Sequence, residues 1–198
     1  MRNTAGKWLG GLGLLVTVWL TAPVAAAESG LADATVIIIR HGEKPAHGTG
    51  LSARGQARAR AYAREFAALS LDGEVWQPQH LLASRDSRHS RRETLTLAPL
   101  SQALGLAEDD RFPEGAESAL AAELRAHPGG RQILICWHHG AMPQLLTVLG
   151  ADPASLLPAG RWPAEVFDWM IVLRYDAAGH LLPSRSERRT DAVLPGDQ

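Results

Sequence analysis

Residues 35–39 form a short, almost wholly apolar and β-branched run that ends abruptly at Arg40-His41-Gly42. A continuous apolar run of this length predicts a central strand that is covered on both faces, as in a parallel sheet. Further strands are predicted at 80–83, 132–137 and 166–175. Ser52 is predicted to cap a helix that reaches about Leu69, and helical patterns also separate the later strands. The sequence therefore predicts an α/β fold, a three-layer α/β/α sandwich with a mostly parallel central sheet.

Charged and imidazole side chains follow three of the predicted strands. The three segments are Arg40-His41-Gly42-Glu43, residues 84–92 and His138-His139-Gly140. The carboxyl ends of parallel strands lie at one edge of a sheet, so we expect these segments to converge on one crevice. A lone histidine after a strand is usually structural, and it is the pairing of histidines with arginines that indicates a functional site here.

The loop 84–92 is rich in arginine. Its four arginines are Arg85, Arg88, Arg91 and Arg92. A guanidinium group matches phosphate oxygens with two parallel hydrogen bonds, so this density favours an anionic substrate. A flexible, solvated loop is the alternative interpretation, and the position of the loop beside a strand end favours the first.

The order of these motifs resembles that of the histidine phosphatase superfamily, whose fold is called phosphoglycerate mutase-like. Residues 38–43, Ile-Ile-Arg-His-Gly-Glu, are similar to its Arg-His-Gly signature, and residues 51–57 resemble the Leu-Ser/Thr-x-x-Gly segment that follows it. Arg92 and Thr96 match the Arg-x-x-x-Thr start of a helix in that family. The resemblance extends over about residues 34–175, nearly the whole chain after its N-terminal segment.

The resemblance implies a phosphatase with a histidine nucleophile. One imidazole nitrogen of His41 would attack phosphorus in line, while Arg40, Arg92 and His139 neutralise the equatorial oxygens, and water would then hydrolyse the phosphohistidine. His139 is favoured over His138 because a glycine follows the second catalytic histidine of the family. A neutral imidazole is nucleophilic at pH 7, and fixed cations replace the charge of a metal ion, so neither a cofactor nor a metal is expected.

The chain departs from one branch of the family. The larger acid phosphatases and phytases continue Arg-His-Gly with x-Arg-x-Pro and carry His-Asp at the second histidine, whereas this chain has Glu43-Lys44-Pro45 and His139-Gly140. The chain therefore resembles the smaller branch, with phosphoglycerate mutases and protein phosphohistidine phosphatases.

The general acid is not identified by any motif. Many members carry a glutamate between the second arginine and the second histidine, and Glu114 and Glu117 are the nearest candidates.

Residues 1–27 differ in character from the rest of the chain. Arg2 and Lys7 precede an uncharged stretch that ends in three alanines just before Glu28. This pattern predicts a cleaved secretory signal peptide, and hence a periplasmic or secreted protein. A membrane anchor is the alternative, since the stretch approaches the roughly 20 residues that span a bilayer, but its glycines, a proline and the small-residue exit favour cleavage, with no stable membrane insertion afterwards.

Residues 28–198 are then predicted to form a single domain, with a frayed C-terminal tail from about residue 184 because apolar residues are scarce there.

The whole chain has 20 Lys and Arg against 21 Asp and Glu. Without residues 1–27 two basic residues are lost, which leaves a net charge of −3. This balance argues against a nucleic-acid partner. The family resemblance implies a small-molecule or surface-linked phosphomonoester as the substrate. The sequence contains no signal for the oligomeric state.

Three other functions stay open. A metalloenzyme is one, since the chain has histidines at 41, 47, 80, 89, 138 and 139, although none shows the spacing of a metal site. A non-catalytic anion-binding module of the same fold is the second, and the intact Arg40, His41, Arg92 and His139 argue against it. Phosphoglycerate mutase-type phosphotransfer is the third, but it needs a cytoplasmic metabolite, and the predicted export favours hydrolysis.

Overall fold

The computed structural model describes residues 30–127 and 130–197, so the predicted signal peptide, 1–27, lies outside the described residues. The strands are β1 (Thr35–Arg40), β2 (Leu69–Leu71), β3 (Glu74–Trp76), β4 (His80–Ala83), β5 (Glu108–Asp109), β6 (Gln132–Trp137), β7 (Trp169–Arg174) and β8 (Glu187–Thr190). The α-helices are α1 (Ala53–Glu65), α2 (Arg92–Leu104), α3 (Glu117–Ala126), α4 (Met142–Val148) and α5 (Pro153–Leu156). Within the described ranges, no helix has the length and apolar character needed to cross a membrane.

Six strands form the central sheet in the order β5-β4-β6-β1-β7-β8. The strands β5, β4, β6 and β1 pair in parallel, whereas β7 runs antiparallel to both of its neighbours. The expectation of a mostly parallel sheet is therefore confirmed, with β7 as the exception. The strands β2 and β3 form a separate two-stranded hairpin.

Helices cover both faces of this sheet. Successive residues of β1 alternate between two cores: Val36 and Ile38 pack with residues of α3 and α4, while Ile37 and Ile39 pack with residues of α1 and α2. All four of these β1 side chains are fully buried. This is the predicted three-layer sandwich, and it explains why the sequence of β1 is continuously apolar.

The helix α1 begins where the sequence predicts it. The hydroxyl of Ser52 caps the helix by accepting a hydrogen bond from the backbone nitrogen of Gly55 at 3.1 Å. The helix was expected to continue to about residue 69 but ends at Glu65, because Leu69–Leu71 instead pairs with β3.

The C-terminal segment is ordered, and the expectation of a frayed tail from about residue 184 is wrong. The strand β8 pairs with β7, and the guanidinium carbon of Arg188 lies 4.2 Å from the ring centre of Trp169. Near the end of the chain, the carboxylate of Asp197 pairs with the guanidinium of Arg58 at 2.8 Å. Backbone hydrogen bonds and ion pairs hold this segment, and neither requires the apolar residues whose scarcity led to the wrong expectation.

Candidate active site

The pairing of β1 with β6 brings two histidines together. The two strands are parallel and end in register at Arg40 and Trp137, so His41 and His138 follow at the same edge of the sheet. Their rings are nearly parallel, with centres 5.9 Å apart, and the ring of His139 lies 6.5 Å from His41 and 4.5 Å from His138. The convergence predicted from the strand ends is thus observed for these segments.

The tautomer of His41 is fixed by its own loop. The ring is buried, and its Nδ1 lies 2.7 Å from the carbonyl oxygen of Gly42. A carbonyl can only accept a hydrogen bond, so Nδ1 carries the proton and Nε2 keeps a lone pair. Burial lowers the pKa of His41 to about 3, and the nearby positive charge of Arg40 adds to the effect. The imidazole is therefore neutral at pH 7, with Nε2 available as a nucleophile.

Two of the sequence motifs hold the backbone of this loop. The backbone nitrogen of Gly42 donates to the hydroxyl oxygen of Thr96 at 2.9 Å, and that hydroxyl donates to the carbonyl of Arg92 at 2.6 Å. On the other side Gly42 packs against Gly55: a Cβ atom on Gly42 would lie 2.8 Å from the carbonyl oxygen of Gly55. The threonine and the glycine of these motifs therefore hold residues 41–43, the His41 loop, in place.

Arg40 is a buried cation beside His41. Its Nη1 donates to the carbonyls of Ala164 and Val166 at 2.6 and 2.9 Å, and its guanidinium carbon lies 3.8 Å from the ring centre of Phe167. Its Nε is buried and has no hydrogen-bond partner among the described residues. Burial lowers the pKa of Arg40 to about 10, so the side chain stays charged at pH 7.

Arg92 lies at the start of α2 and is half-buried. Its Nε and Nη2 donate to the carbonyls of Gly50 and Gly48 at 3.1 and 2.9 Å, and its Nη1 lies 3.3 Å from the hydroxyl of Ser90. The guanidinium is thus bound to the loop 48–50, which follows His41 along the chain. Its charge still acts on His41, since it contributes to lowering the pKa of that imidazole.

The other arginines of the loop 84–92 are exposed and have other partners. Arg85 donates to the carbonyls of Asp110 and Arg111, and Nε of Arg91 pairs with the carboxylate of Asp86 at 2.9 Å. Nε of Arg88 donates to the ring of His89 at 2.8 Å. Arg92 therefore differs from its three neighbours because its guanidinium binds the loop 48–50, which follows the His41 loop along the chain.

Of the two glutamates proposed from the sequence, only Glu114 is near the imidazoles. Its carboxylate lies 3.0 Å from Nδ1 of His138 and is exposed. Glu117 is buried, and its Oε1 accepts hydrogen bonds from Nε1 of Trp137 and the backbone of Gly115 at 3.0 and 2.9 Å. Glu117 thus has a structural role at the start of α3.

Sequence reasoning missed Glu93. This buried carboxylate has Oε1 3.9 Å from Nε2 of His41, and its Oε2 accepts a hydrogen bond from the hydroxyl of Ser90 at 2.8 Å. Its position directly after Arg92, in the first turn of a helix that packs on the site, is the signal that could have identified it.

His139 opens onto a cavity of about 400 Å³. The lining residues include His139, Gly140, Pro143, Gly160, Arg161 and Trp162. Nδ1 of His139 is buried without a hydrogen-bond partner in the described part of the chain, and burial, followed by the charge of Arg40, lowers the pKa of His139 to about 4. The ligand nitrogens of His41, His138 and His139 lie within 4.8 Å of one another.

No family model and no curated protein matches this chain. Among solved structures, the protein histidine phosphatase SixA complexed with tungstate has a TM-score of 0.56 and 19% identity, and the match covers 80% of this chain and 97% of that protein. A candidate phosphohistidine phosphatase SixA from Agrobacterium tumefaciens has a TM-score of 0.47 and 19% identity, with 73% and 93% of the two chains covered. A third, from Nakamurella multipartitia, has a TM-score of 0.45 and 19% identity, with 79% and 93% covered.

We compare the fold with the first of these structures, because of the three TM-scores only its value exceeds 0.5. At this level of identity the similarity concerns the fold. It confirms the expected phosphoglycerate mutase-like α/β sandwich.

Proposed function

We propose that this chain is a histidine phosphatase, a phosphomonoester hydrolase that works through a phosphohistidine on His41. The observation that carries the proposal is the state of that imidazole: it is buried, Nδ1 is bound to the carbonyl of Gly42, and burial lowers its pKa to about 3. A neutral nucleophile beside two arginines is suited to phosphoryl transfer. The fold shared with the protein histidine phosphatase SixA supports the same class of reaction.

The reaction has two displacement steps. Nε2 of His41 forms a bond to phosphorus as the bond between phosphorus and the leaving oxygen breaks, and the leaving oxygen takes a proton from a general acid. Water then attacks phosphorus and gives a proton to the conjugate base of that acid, the bond to Nε2 breaks, and inorganic phosphate leaves with His41 and the general acid regenerated. Because each step needs only a nucleophile, a proton donor and fixed positive charge, we propose that turnover requires no metal ion.

Arg40 and Arg92 stabilise the transferring group in this proposal. Nε of Arg40 is buried without a hydrogen-bond partner among the described residues, and we propose that it donates to a phosphoryl oxygen of the bound substrate. Arg92 donates to the carbonyls of Gly48 and Gly50, and we propose that it turns one donor to the phosphoryl group when substrate binds.

We propose His139 as the second catalytic histidine, since its ring centre lies 6.5 Å from that of His41 and its side chain also lines a cavity. His138 is adjacent to His41 by strand register and pairs with Glu114. Comparing His138→Ala with His139→Ala separates the two: the assignment requires the larger loss of kcat in His139→Ala, and the reverse order would transfer the role to His138.

Covalent trapping tests the proposed function directly. During turnover of an aryl phosphate, a rapid alkaline quench should preserve a base-stable, acid-labile phosphate that peptide mass spectrometry locates on His41. His41→Ala should lose the adduct and nearly all activity, whereas His89→Ala, which alters an exposed histidine of the arginine-rich loop, should retain both. Substantial turnover by His41→Ala would contradict the proposal.

A panel of phosphate compounds tests which substrate the protein prefers, and the comparison with the protein histidine phosphatase SixA adds phosphohistidine to that panel. The mature protein should be assayed against phosphohistidine peptides, sugar phosphates, lipopolysaccharide phosphates and small phosphomonoesters, each with and without a strong chelator. Loss of activity in the chelator would contradict metal-independent turnover.

We also propose export, which is supported by the sequence of residues 1–27 alone. Sequencing the N-terminus of protein from the periplasm or culture medium should give a chain that begins at Glu28. A chain that retains Met1 would contradict cleavage.

A further inference from the structure

The three imidazoles of His41, His138 and His139 form a cluster with metal-ligand chemistry. Their ligand nitrogens lie within 4.8 Å of one another, although their spacing in sequence resembles no metal motif. Parallel strand register accounts for the first two, and His139 is the next residue along the chain. Imidazole nitrogen is the ligand that Zn²⁺ and its neighbours in the periodic table commonly take, and three such ligands leave a fourth position open.

Each ring has a nitrogen that can serve as a ligand. Nδ1 of His41 is bound to the carbonyl of Gly42. Nδ1 of His138 lies 3.0 Å from the Glu114 carboxylate, which can only accept, and 3.3 Å from the Gly140 backbone nitrogen, which can only donate. The two bonds exclude each other, and the shorter contact with the carboxylate places the proton on Nδ1. Nε2 is therefore the available atom in both rings. A carbonyl or carboxylate on the second nitrogen is the arrangement that commonly orients metal-binding histidines.

The third ring has an unsatisfied atom. Nδ1 of His139 is buried and lacks a hydrogen-bond partner among the described residues. Buried polar atoms without partners are uncommon and call for a ligand, a water molecule or an ion. A metal bound to Nδ1 of this ring would meet that requirement.

Three cations and two carboxylates surround the cluster. Arg40, Arg92 and Lys44 oppose a cation, while two carboxylates favour one: Glu114 beside His138 and Glu93, whose Oε1 is 3.9 Å from Nε2 of His41. Tetrahedral zinc bonds of about 2.0–2.1 Å place donor atoms roughly 3.3 Å apart, so the rings must approach by about 1.5 Å. Rotation of the half-buried His138 and His139 can supply this movement.

We propose that His41, His138 and His139 bind one divalent transition-metal ion of the zinc class, and that this ion inhibits the enzyme. The ion takes the lone pair of Nε2 on His41, which cannot then attack phosphorus. The inhibitory consequence rests on the proposed phosphatase function, but metal binding itself does not. Phosphate chemistry and metal binding thus compete for one nitrogen atom.

Binding is tested on the tag-free mature protein after treatment with a chelator and dialysis. Titration with Co²⁺ should give the visible absorption bands of a tetrahedral site, and calorimetry with Zn²⁺ should give one ion per chain. His138→Ala should weaken binding by about tenfold or more, and Glu114→Gln by a smaller factor through loss of the carboxylate on Nδ1. His180→Ala, at an exposed histidine far along the chain, is the matched control and should bind as the wild type does.

Activity supplies the second readout. Zn²⁺ should inhibit aryl phosphate hydrolysis reversibly, with recovery on addition of chelator, and inorganic phosphate should compete with Co²⁺ for binding. Absence of stoichiometric binding, or equal binding by His138→Ala and the wild type, would overturn the inference even in an active phosphatase. Conversely, a chain that binds Co²⁺ but hydrolyses no phosphate ester would retain the metal site and refute the proposed function.

Discussion

The arginines of the loop 84–92 look alike in sequence and differ in their contacts. The guanidinium of Arg92 donates to the carbonyls of Gly48 and Gly50, in the loop that follows His41. The guanidinium of Arg85 instead donates to the backbone carbonyls of residues 110 and 111. If Arg92 contacts the transferring phosphoryl group, Arg92→Ala should lower kcat by about a hundredfold, or about 3 kcal/mol, as for other preorganised charge contacts. Arg85→Ala should cost far less.

Arg92→Lys should also be poorly tolerated, because an ammonium group cannot reproduce the planar fork of a guanidinium. Steady-state kinetics of alanine variants at 85, 88, 91 and 92 on one substrate provide the measurement. A greater loss at Arg88 or Arg91 than at Arg92 would mean that the family motif has been aligned to the wrong arginine.

The identity of the general acid is a second question at the scale of single residues. We expect Glu114→Gln or Glu93→Gln to slow hydrolysis of an alkyl phosphate, a poor leaving group, more than hydrolysis of p-nitrophenyl phosphate, which leaves without protonation. Glu117→Gln should instead reduce stability, since its carboxylate binds Trp137 and Gly115. If all three variants slow both substrates equally, the proton comes from another group, such as a histidine.

At the scale of elements, the hydroxyl of Thr96 connects α2 to the His41 loop, residues 41–43. Thr96 accepts from the backbone nitrogen of Gly42 and donates to the carbonyl of Arg92. Thr96→Val keeps the shape of the side chain but leaves the buried nitrogen of Gly42 unpaired, which should cost about 1–3 kcal/mol of unfolding free energy and lower kcat. Thr96→Ser keeps the hydroxyl and is the matched control; urea denaturation and kinetics that failed to separate the two variants would contradict this role.

Some elements could be predicted from sequence because their signal is local. The strand β1 is buried on both faces, so its apolar run is unbroken, and Ser52 caps α1 with a side chain typical of that position. The strand β8 could not be predicted, because an edge strand held by backbone hydrogen bonds and by the stacking of Arg188 on Trp169 carries no apolar pattern. In the site, motifs indicated His41, Arg40, Arg92 and His139, whereas the proximity of Glu93 to His41 depends on how α2 packs.

The segment that follows β8 contains a carboxyl with unusual protonation. Burial, together with the negative charge of Glu65, raises the pKa of Asp191 from 3.8 to about 7, and its Oδ2 lacks a hydrogen-bond partner among the described residues. Between these two pH values the unfolded carboxyl is ionised while the folded one keeps its proton. Its contribution to the free energy of unfolding therefore falls as the pH rises from about 4 to about 7, and is constant outside that window.

Asparagine does not ionise, so the stability of Asp191→Asn relative to the wild type should be greater at pH 8 than at pH 4, by on the order of 1–4 kcal/mol. Guanidinium denaturation at both pH values is the measurement. Asp33→Asn, at an exposed carboxyl, should show no such pH-dependent gain, and an equal response of the two variants would contradict the assignment.

At the scale of the whole molecule, the buried side chain of Arg58 connects Asp197, in the C-terminal segment, to Glu43, which follows His41. Arg58 binds Glu43, two residues after His41, at 2.7 Å, and it binds both carboxylate oxygens of Asp197 at 2.9 and 2.8 Å. The side chains of Arg58 and Asp197 are each only 2% exposed. Arg54 lies against the same two carboxylates but is 47% exposed.

We therefore expect Asp197→Asn to lower the free energy of unfolding by about 1–3 kcal/mol. The loss is smaller than for a wholly unpaired buried charge, since Glu43 still compensates Arg58. Activity should fall as well, because a guanidinium that has lost one partner holds Glu43, and with it the loop of His41, less firmly. Arg54→Ala removes an exposed cation from the same cluster and should cost less than about 1 kcal/mol, with little change in kcat. Urea denaturation and kinetics of both variants test the connection: if Asp197→Asn matches Arg54→Ala in stability and turnover, the C-terminal segment rests on the surface without supporting the site.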